Sequence, residues 1–189
     1  DSPSLLILTL RGDEVGIDGP IRQLLGDVAR SPAATSLTLP PLSVDAVTTL
    51  VGQRAVDPHW LHRLTGGNAF FVSEMLDHPV DELPTSVRNA VLARTAGLDE
   101  QAWDLLHLLA CAPEAIPDYL LAHLGITVPP LRRLHAANLI ARSARGVAFR
   151  HDLCRITLAD VIPPGAEPQL HRRMIAAYDA VGRTDPAVI

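Results

Sequence analysis

Residues 131–154 read LRRLHAANLIARSARGVAFRHDLC, and the way this stretch divides decides the fold. Leu139-Ile140-Ala141-Arg142 and Val147-Ala148-Phe149-Arg150 alternate around Ser143-Ala144-Arg145-Gly146, the pattern of a β-hairpin with glycine in its turn. Before the hairpin, Leu131 and Leu134 share one face of a helix predicted from Pro130 to Asn138, with Arg132 and Arg133 turned away from it. After it, the chain runs straight into a helix predicted over Asp152 to Asp160.

Further upstream, Asp99 is the expected cap of a helix through Ala112, with Pro113 beyond it. Pro117 to Leu124 reads as another helix, followed by a turn over Gly125 to Pro129. Three helices and a hairpin make a winged-helix plan, which places one domain over residues 98–163. Glu167 to Val181 is a last helix, within a C-terminal segment 164–189.

Residues 43–97 form a helical subdomain by the same signals. Ser43 caps a helix with Val44, Val47, Leu50 and Val51 on one face, and Trp60, Leu61 and Leu64 mark a second stopped at Gly66-Gly67. Asn68 caps a third carrying Phe70, Phe71, Val72, Met75 and Leu76. After a linker from Pro79 to Pro84, Thr85 is the expected cap of a fourth, with Val87, Ala90, Val91 and Ala93 inside and its end near Gly97.

Residues 1–42 read differently. Leu5-Leu6-Ile7-Leu8-Thr9-Leu10 is a continuous apolar run suited to a strand buried on both faces of a parallel sheet, Gly19-Pro20 opens a helix through Val28, and Ser36 to Pro40 reads as a second strand. Two strands and one helix cannot cover their own faces and edges, so the expectation is the C-terminal remnant of a larger α/β domain. An apolar edge of this kind also invites pairing with a second copy of the chain. The fold class expected is mainly α with minor β.

The 189 residues carry a formal charge of −5 and are 48% hydrophobic and 20% charged, a globular composition. All 16 basic residues are arginine, which excludes lysine chemistry, whether a P-loop lysine or a Schiff base. Cys111 and Cys154 make no disulfide framework, and no Gly-x-Ser-x-Gly elbow occurs. No apolar run approaches the ~20 residues of a membrane span and no signal-peptide pattern opens the sequence, so a cytoplasmic location is expected.

Several residues are candidates for chemistry. His151-Asp152 stands where a strand meets a helix start, a position that favours a phosphate or carboxylate; alternatively Asp152 caps its helix and His151 is a satisfied core imidazole. Thr65-Gly66-Gly67-Asn68 either approaches a ligand or simply joins a C-cap to an N-cap. Arg11 follows the first apolar run, where α/β sheets place ligand contacts, unless Asp13 or Glu14 neutralises it. His59-x-x-His62 lacks the further ligands of a metal site and reads as a solvated face, and Cys154 among Leu153, Ile156 and Leu158 reads as core. Six arginines against one aspartate between residues 131 and 155 raise a DNA-binding alternative through Arg132, Arg133 and Arg145, set against the acidic whole and the lack of Asn, Gln, Ser and Thr on the outer helix face.

Taken in order, LLILTLRGDE (5–14), LTLPPLSVDAVTTLV (37–51), LTGGNAFFVSEML (64–76), LPTSVRNAVLAR (83–94), FRHDLCR (149–155) and LHRRMIAAY (170–178) resemble the ATPase module of the large ATP-binding LuxR-type transcriptional regulators, a branch of the STAND family of AAA-like signalling NTPases. The resemblance implies a P-loop remnant over 1–42, a helical lid over 43–97 and a winged-helix domain over 98–163, between a P-loop core on one side and helical repeats with a DNA-binding domain on the other. It implies that Arg11 reads a γ-phosphate, that Pro41 and Leu42 pass the adenine, and that Gly67-Asn68-Ala69-Phe70 matches the Gly-Asn-Pro-Phe turn of the lid, with Ala69 where the family has proline. His151-Asp152 matches the family's His-Asp sensor, whose histidine meets the β-phosphate of ADP, while the residues after Arg155 depart from the usual Glu-Ala-Val-Tyr. The implied partners are ATP or ADP with Mg²⁺, the P-loop core, the repeats and DNA through the further domain. Residues 1–189 by themselves are expected to relay a nucleotide state rather than to bind nucleotide tightly or catalyse.

Overall fold

The computed structural model describes residues 5–10, 20–79 and 82–182, and these fall into two units divided after Pro40. Among the described residues the structure is mainly helical, with one two-stranded sheet.

In the first unit, α1 (Pro20–Ala29) forms as expected, but neither predicted strand does. Among the described residues, 5–10 and 36–40 have no sheet partner, and their apolar side chains stand in the open, Leu5 at 87% and Leu37 at 81% exposure. A strand is a hydrogen-bonded pair before it is a hydrophobic run, and nothing among the described residues pairs with either segment. None of the side chains of α1 is buried.

The second unit begins with α2 (Val44–Val51), capped by the Ser43 hydroxyl accepting from the Ala46 N–H. Val47 and Val51 are buried as expected, whereas Leu50, expected beside them, is exposed. Then come α3 (Pro58–Thr65) and α4 (Ala69–Leu76), whose Asn68 cap accepts from the N–H groups of Phe70 and Phe71. In α5 (Thr85–Ala93) Thr85 is the first helical residue rather than the cap, which is Pro84; its missing N–H costs nothing at a helix start.

Next follow α6 (Glu100–Cys111), capped by Asp99, then α7 (Asp118–His123) and α8 (Val128–Ala136). The last starts two residues earlier than expected, because Pro129 and Pro130 sit in its first turn, where their fixed φ suits a helix. Strands β1 (Ile140–Ser143) and β2 (Gly146–Phe149) pair antiparallel, Ile140 opposite Phe149, and lead into α9 (Asp152–Ala159) and, after a turn, α10 (Glu167–Ala180).

One core runs through the unit, and α9 lies at its centre, packed against α3, α5 and α6 with Leu153, Cys154, Thr157 and Leu158 buried. Residues 43–97 and 98–163 therefore share a hydrophobic interior. Two ion pairs tie the periphery to this centre: Arg88 of α5 reaches Asp160 at 2.6 Å, and Arg173 of α10 holds both Asp104 oxygens at 2.8 Å while donating to the Leu124 carbonyl.

The hairpin gains a third member that the sequence pattern did not suggest. Ile116 and Val147 exchange both backbone hydrogen bonds, at 2.8 and 2.9 Å, so the segment before α7 lies along β2. Gly146 makes this possible. Its φ is +125°, and a Cβ there would collide with the Ile116 carbonyl and come within 2.7 Å of Pro117 Cα.

Candidate functional site

Three segments far apart in the chain meet around the turn between α3 and α4. Thr65 is buried, its hydroxyl donating to the Leu61 carbonyl and accepting the Gly67 N–H, which closes the helix into the glycine pair. Gly66 and Gly67 both take left-handed φ, +59° and +71°. Gly67 receives the chain entering α2: the Leu42 N–H donates to the Gly67 carbonyl at 2.8 Å, and a Cβ on Gly67 would strike the Leu42 carbonyl oxygen. That oxygen accepts from His62 Nε2 at 3.0 Å, so His62, weighed as half of a metal pair with His59, instead fixes the entry to α2. Among the described residues no group of three or more His, Cys, Asp or Glu side chains is gathered to hold a metal ion.

Gly66 receives His151. The imidazole Nδ1 presses on the glycine so closely that no Cβ would fit, and the ring meets Phe71 edge-on at 5.5 Å between centroids. Nδ1 is sealed from solvent and has no hydrogen-bond partner. Burial first, and then the charges of Arg94 and Arg150, push the His151 pKa from the usual 6.5 down to about 4, so the ring is neutral near pH 7. His151 is thus packed like a core imidazole, but its Nδ1 is not satisfied. It is also His151 that occupies the N-cap position of α9; Asp152, expected there, is the first helical residue and binds Arg155 through both carboxylate oxygens at 2.6 and 3.3 Å.

Arg94 and Asn138 complete the cluster, and sequence reasoning passed over both. The Arg94 guanidinium lies 5.9 Å over the Phe71 ring and donates to the Asn138 carbonyl. Asn138 sits just past α8 with φ +61° and a buried, unpartnered Oδ1. Its identity was a usable signal, since asparagine tolerates left-handed backbone at a helix end; nothing local marks Arg94.

Of the residues predicted from the sequence, Gly67 and His151 come together here, with Leu42 beside Pro41, which is exposed at the start of the unit. Asn68 is occupied as a cap, Ala69 is the exposed first residue of α4, and Arg11 lies outside the described residues. The basic cluster is partly neutralised: Arg133 pairs with Asp99, Arg142 with Asp118 and Arg155 with Asp152. Arg132 and Arg145 are exposed, Arg145 at the hairpin turn with its N–H donating to Ser143 Oγ. Cys154 is core, its thiol raised by burial to about 11.

No helix among the described residues is long and apolar enough to cross a membrane. No protein-family model, curated protein or solved structure matches the chain.

Proposed function

We propose that this chain is the lid and winged-helix part of a nucleotide-switched regulator of the ATP-binding LuxR type, acting as a conformational relay. In this reading α2–α5 are the lid, α6–α8 with the hairpin are the winged helix, and the P-loop core, repeats and DNA-binding domain belong to the longer protein. The observation that carries it is that Leu42, Gly67 and His151, which the resemblance assigns to one nucleotide and the chain separates widely, meet at one turn, Leu42 against Gly67 and His151 against the neighbouring Gly66.

The residues fit a diphosphate in a restricted way. The space beside the two glycines is taken by His151 and Leu42, so these glycines pack the chain against itself rather than cradle phosphate. His151 Nδ1 is shut against Gly66, which leaves Nε2 as the nitrogen that a phosphate oxygen can reach. A buried N–H without a partner is rarer than a buried bare acceptor, so the ring carries its proton on Nε2 and offers it as a donor. When bound, ADP would supply the negative charge that this donor recognises. Because the His151 backbone leads directly into α9, and α9 packs on α3, α5 and α6, a shift at the ring is felt in both halves of the unit.

The test is ADP release from the longer protein, P-loop core included. His151→Ala removes one hydrogen bond to a charged group and should speed release about tenfold. Arg132→Ala with Arg133→Ala should leave release unchanged. Unaltered release in His151→Ala would sink the reading, and salt-sensitive duplex binding lost with Arg132 and Arg133 would replace it with a DNA-binding one.

A further inference from the structure

On the side of the β2–α9 junction opposite to His151 lies a cleft of about 230 Å³. Successive residues of an extended chain face opposite ways, and this junction does the same: His151 turns to Gly66 and Phe71, while Arg150 and Asp152 line the cleft. Arg63 from α3, Arg155 from α9 and Glu114 add to the charged lining, with Leu109 and Phe149 among its apolar residues. Of the candidate nucleotide residues in the described structure Asp152 lines it, while Leu42, Gly66, Gly67 and His151 do not, so the cleft shares the junction with the candidate nucleotide position but opens away from the His151 ring.

The charges around the cleft do not cancel. Asp152 is engaged by Arg155 in two hydrogen bonds, and among the described residues no carboxylate forms an ion pair with Arg63 or Arg150. Glu114 is the one further acid on the lining. Three arginines against two acidic residues in the lining leave one net positive charge. The volume is below the ~300 Å³ at which drug-sized sites begin, so the space suits a compact occupant.

We propose that this cleft is a binding site for a small organic carboxylate, its head between Arg63 and Arg150 and its apolar body against Leu109 and Phe149. A monocarboxylate balances the single excess charge, and guanidinium forks match a planar carboxylate with paired donors. Glu114 opposes the ligand and weakens its binding. Because Arg150 and Asp152 flank His151 in the chain, the occupied cleft bears on the segment that positions that ring. The inference does not depend on the nucleotide reading, since it concerns residues 1–189 alone and is tested without nucleotide.

The experiment is a titration of this chain with benzoate and with its neutral isostere benzamide, followed by amide chemical shifts. Benzoate should saturate, moving the amides of Ala112, Glu114, Ala115 and residues 149–152, and benzamide should not bind. Arg63→Gln and Arg150→Gln should each weaken benzoate about tenfold, the loss of one charge-assisted contact. Arg132→Gln should leave it unchanged, and Glu114→Gln should strengthen it. The proposal is overturned if benzamide binds as well as benzoate, if Arg132→Gln weakens binding as much as Arg63→Gln does, if the shifts fall elsewhere, or if benzoate does not bind.

Discussion

Leu5 to Leu10 and Leu105 to Cys111 are both nearly unbroken apolar runs, and they end in opposite places. Leu105, Leu106 and Leu108 are fully buried in α6, while Leu5 to Leu8 and Leu10 are exposed. A helix satisfies its own backbone and needs only a surface for its side chains; a strand needs a neighbour for its backbone as well. The core of residues 41–189 gives α6 contacts from α8, α9 and α10. Hydrophobicity in a sequence is therefore a demand for a partner, and only the rest of the chain says whether the demand is met.

The comparison breaks most easily at a leucine. Leu106→Ala should cost about 2–5 kcal/mol in urea denaturation through the cavity that it leaves, and Leu6→Ala should stay within ~0.5 kcal/mol. An equal loss from both would mean that the first apolar run is packed after all. Next in size is Gly146→Ala, which forces a side chain into the Ile116 backbone at positive φ and should lower stability by more than ~1 kcal/mol. Gly26→Ala, inside α1 with nothing within 4 Å of its Cβ, should instead raise the helicity of that segment, read by circular dichroism.

A pH-dependent effect follows from His151. Its folded pKa, about 4, lies below its unfolded value near 6.5, so the unfolded chain binds more protons between these limits. Stability should be complete above about pH 6.5 and decline as the pH falls towards 4, and His151→Gln should flatten that slope in denaturation curves taken across the window. Smallest is Arg173→Gln, which releases Asp104 and the Leu124 carbonyl at a half-exposed position. It should cost about 1 kcal/mol or less, and the difference from the parent chain should shrink in high salt.

Local chemistry made most of the helices legible in the sequence. Ser43, Asn68 and Asp99 cap the helices that they were expected to cap, because a side-chain oxygen meeting an N–H two or three residues on is settled within one turn. The hairpin was legible for the same reason, glycine at Gly146 marking where alternation reverses. What the sequence could not announce is pairing at a distance. Ile116 lies along Val147 through backbone groups that every residue carries, and Arg94 reaches Asn138 across 44 positions. The strands expected at 5–10 and 36–40 fail on the same point, since periodicity describes a face and says nothing of an edge. In the candidate site, Gly67 and His151 were legible as separate motifs; that Gly66 and Leu42 are what they lean on was not.

Cys154 gives the molecule a gauge of its own breathing. Its side chain is wholly buried in the first turn of α9, and its thiol, held at about 11, offers almost no thiolate to a reagent at neutral pH. Alkylation must wait until α9 lifts from α3, α5 and α6, when the thiol recovers its ordinary acidity. The rate at which this single atom reacts thus counts the openings of the helix that joins both halves of the unit, and any ligand that holds those halves together will be visible as a slower clock.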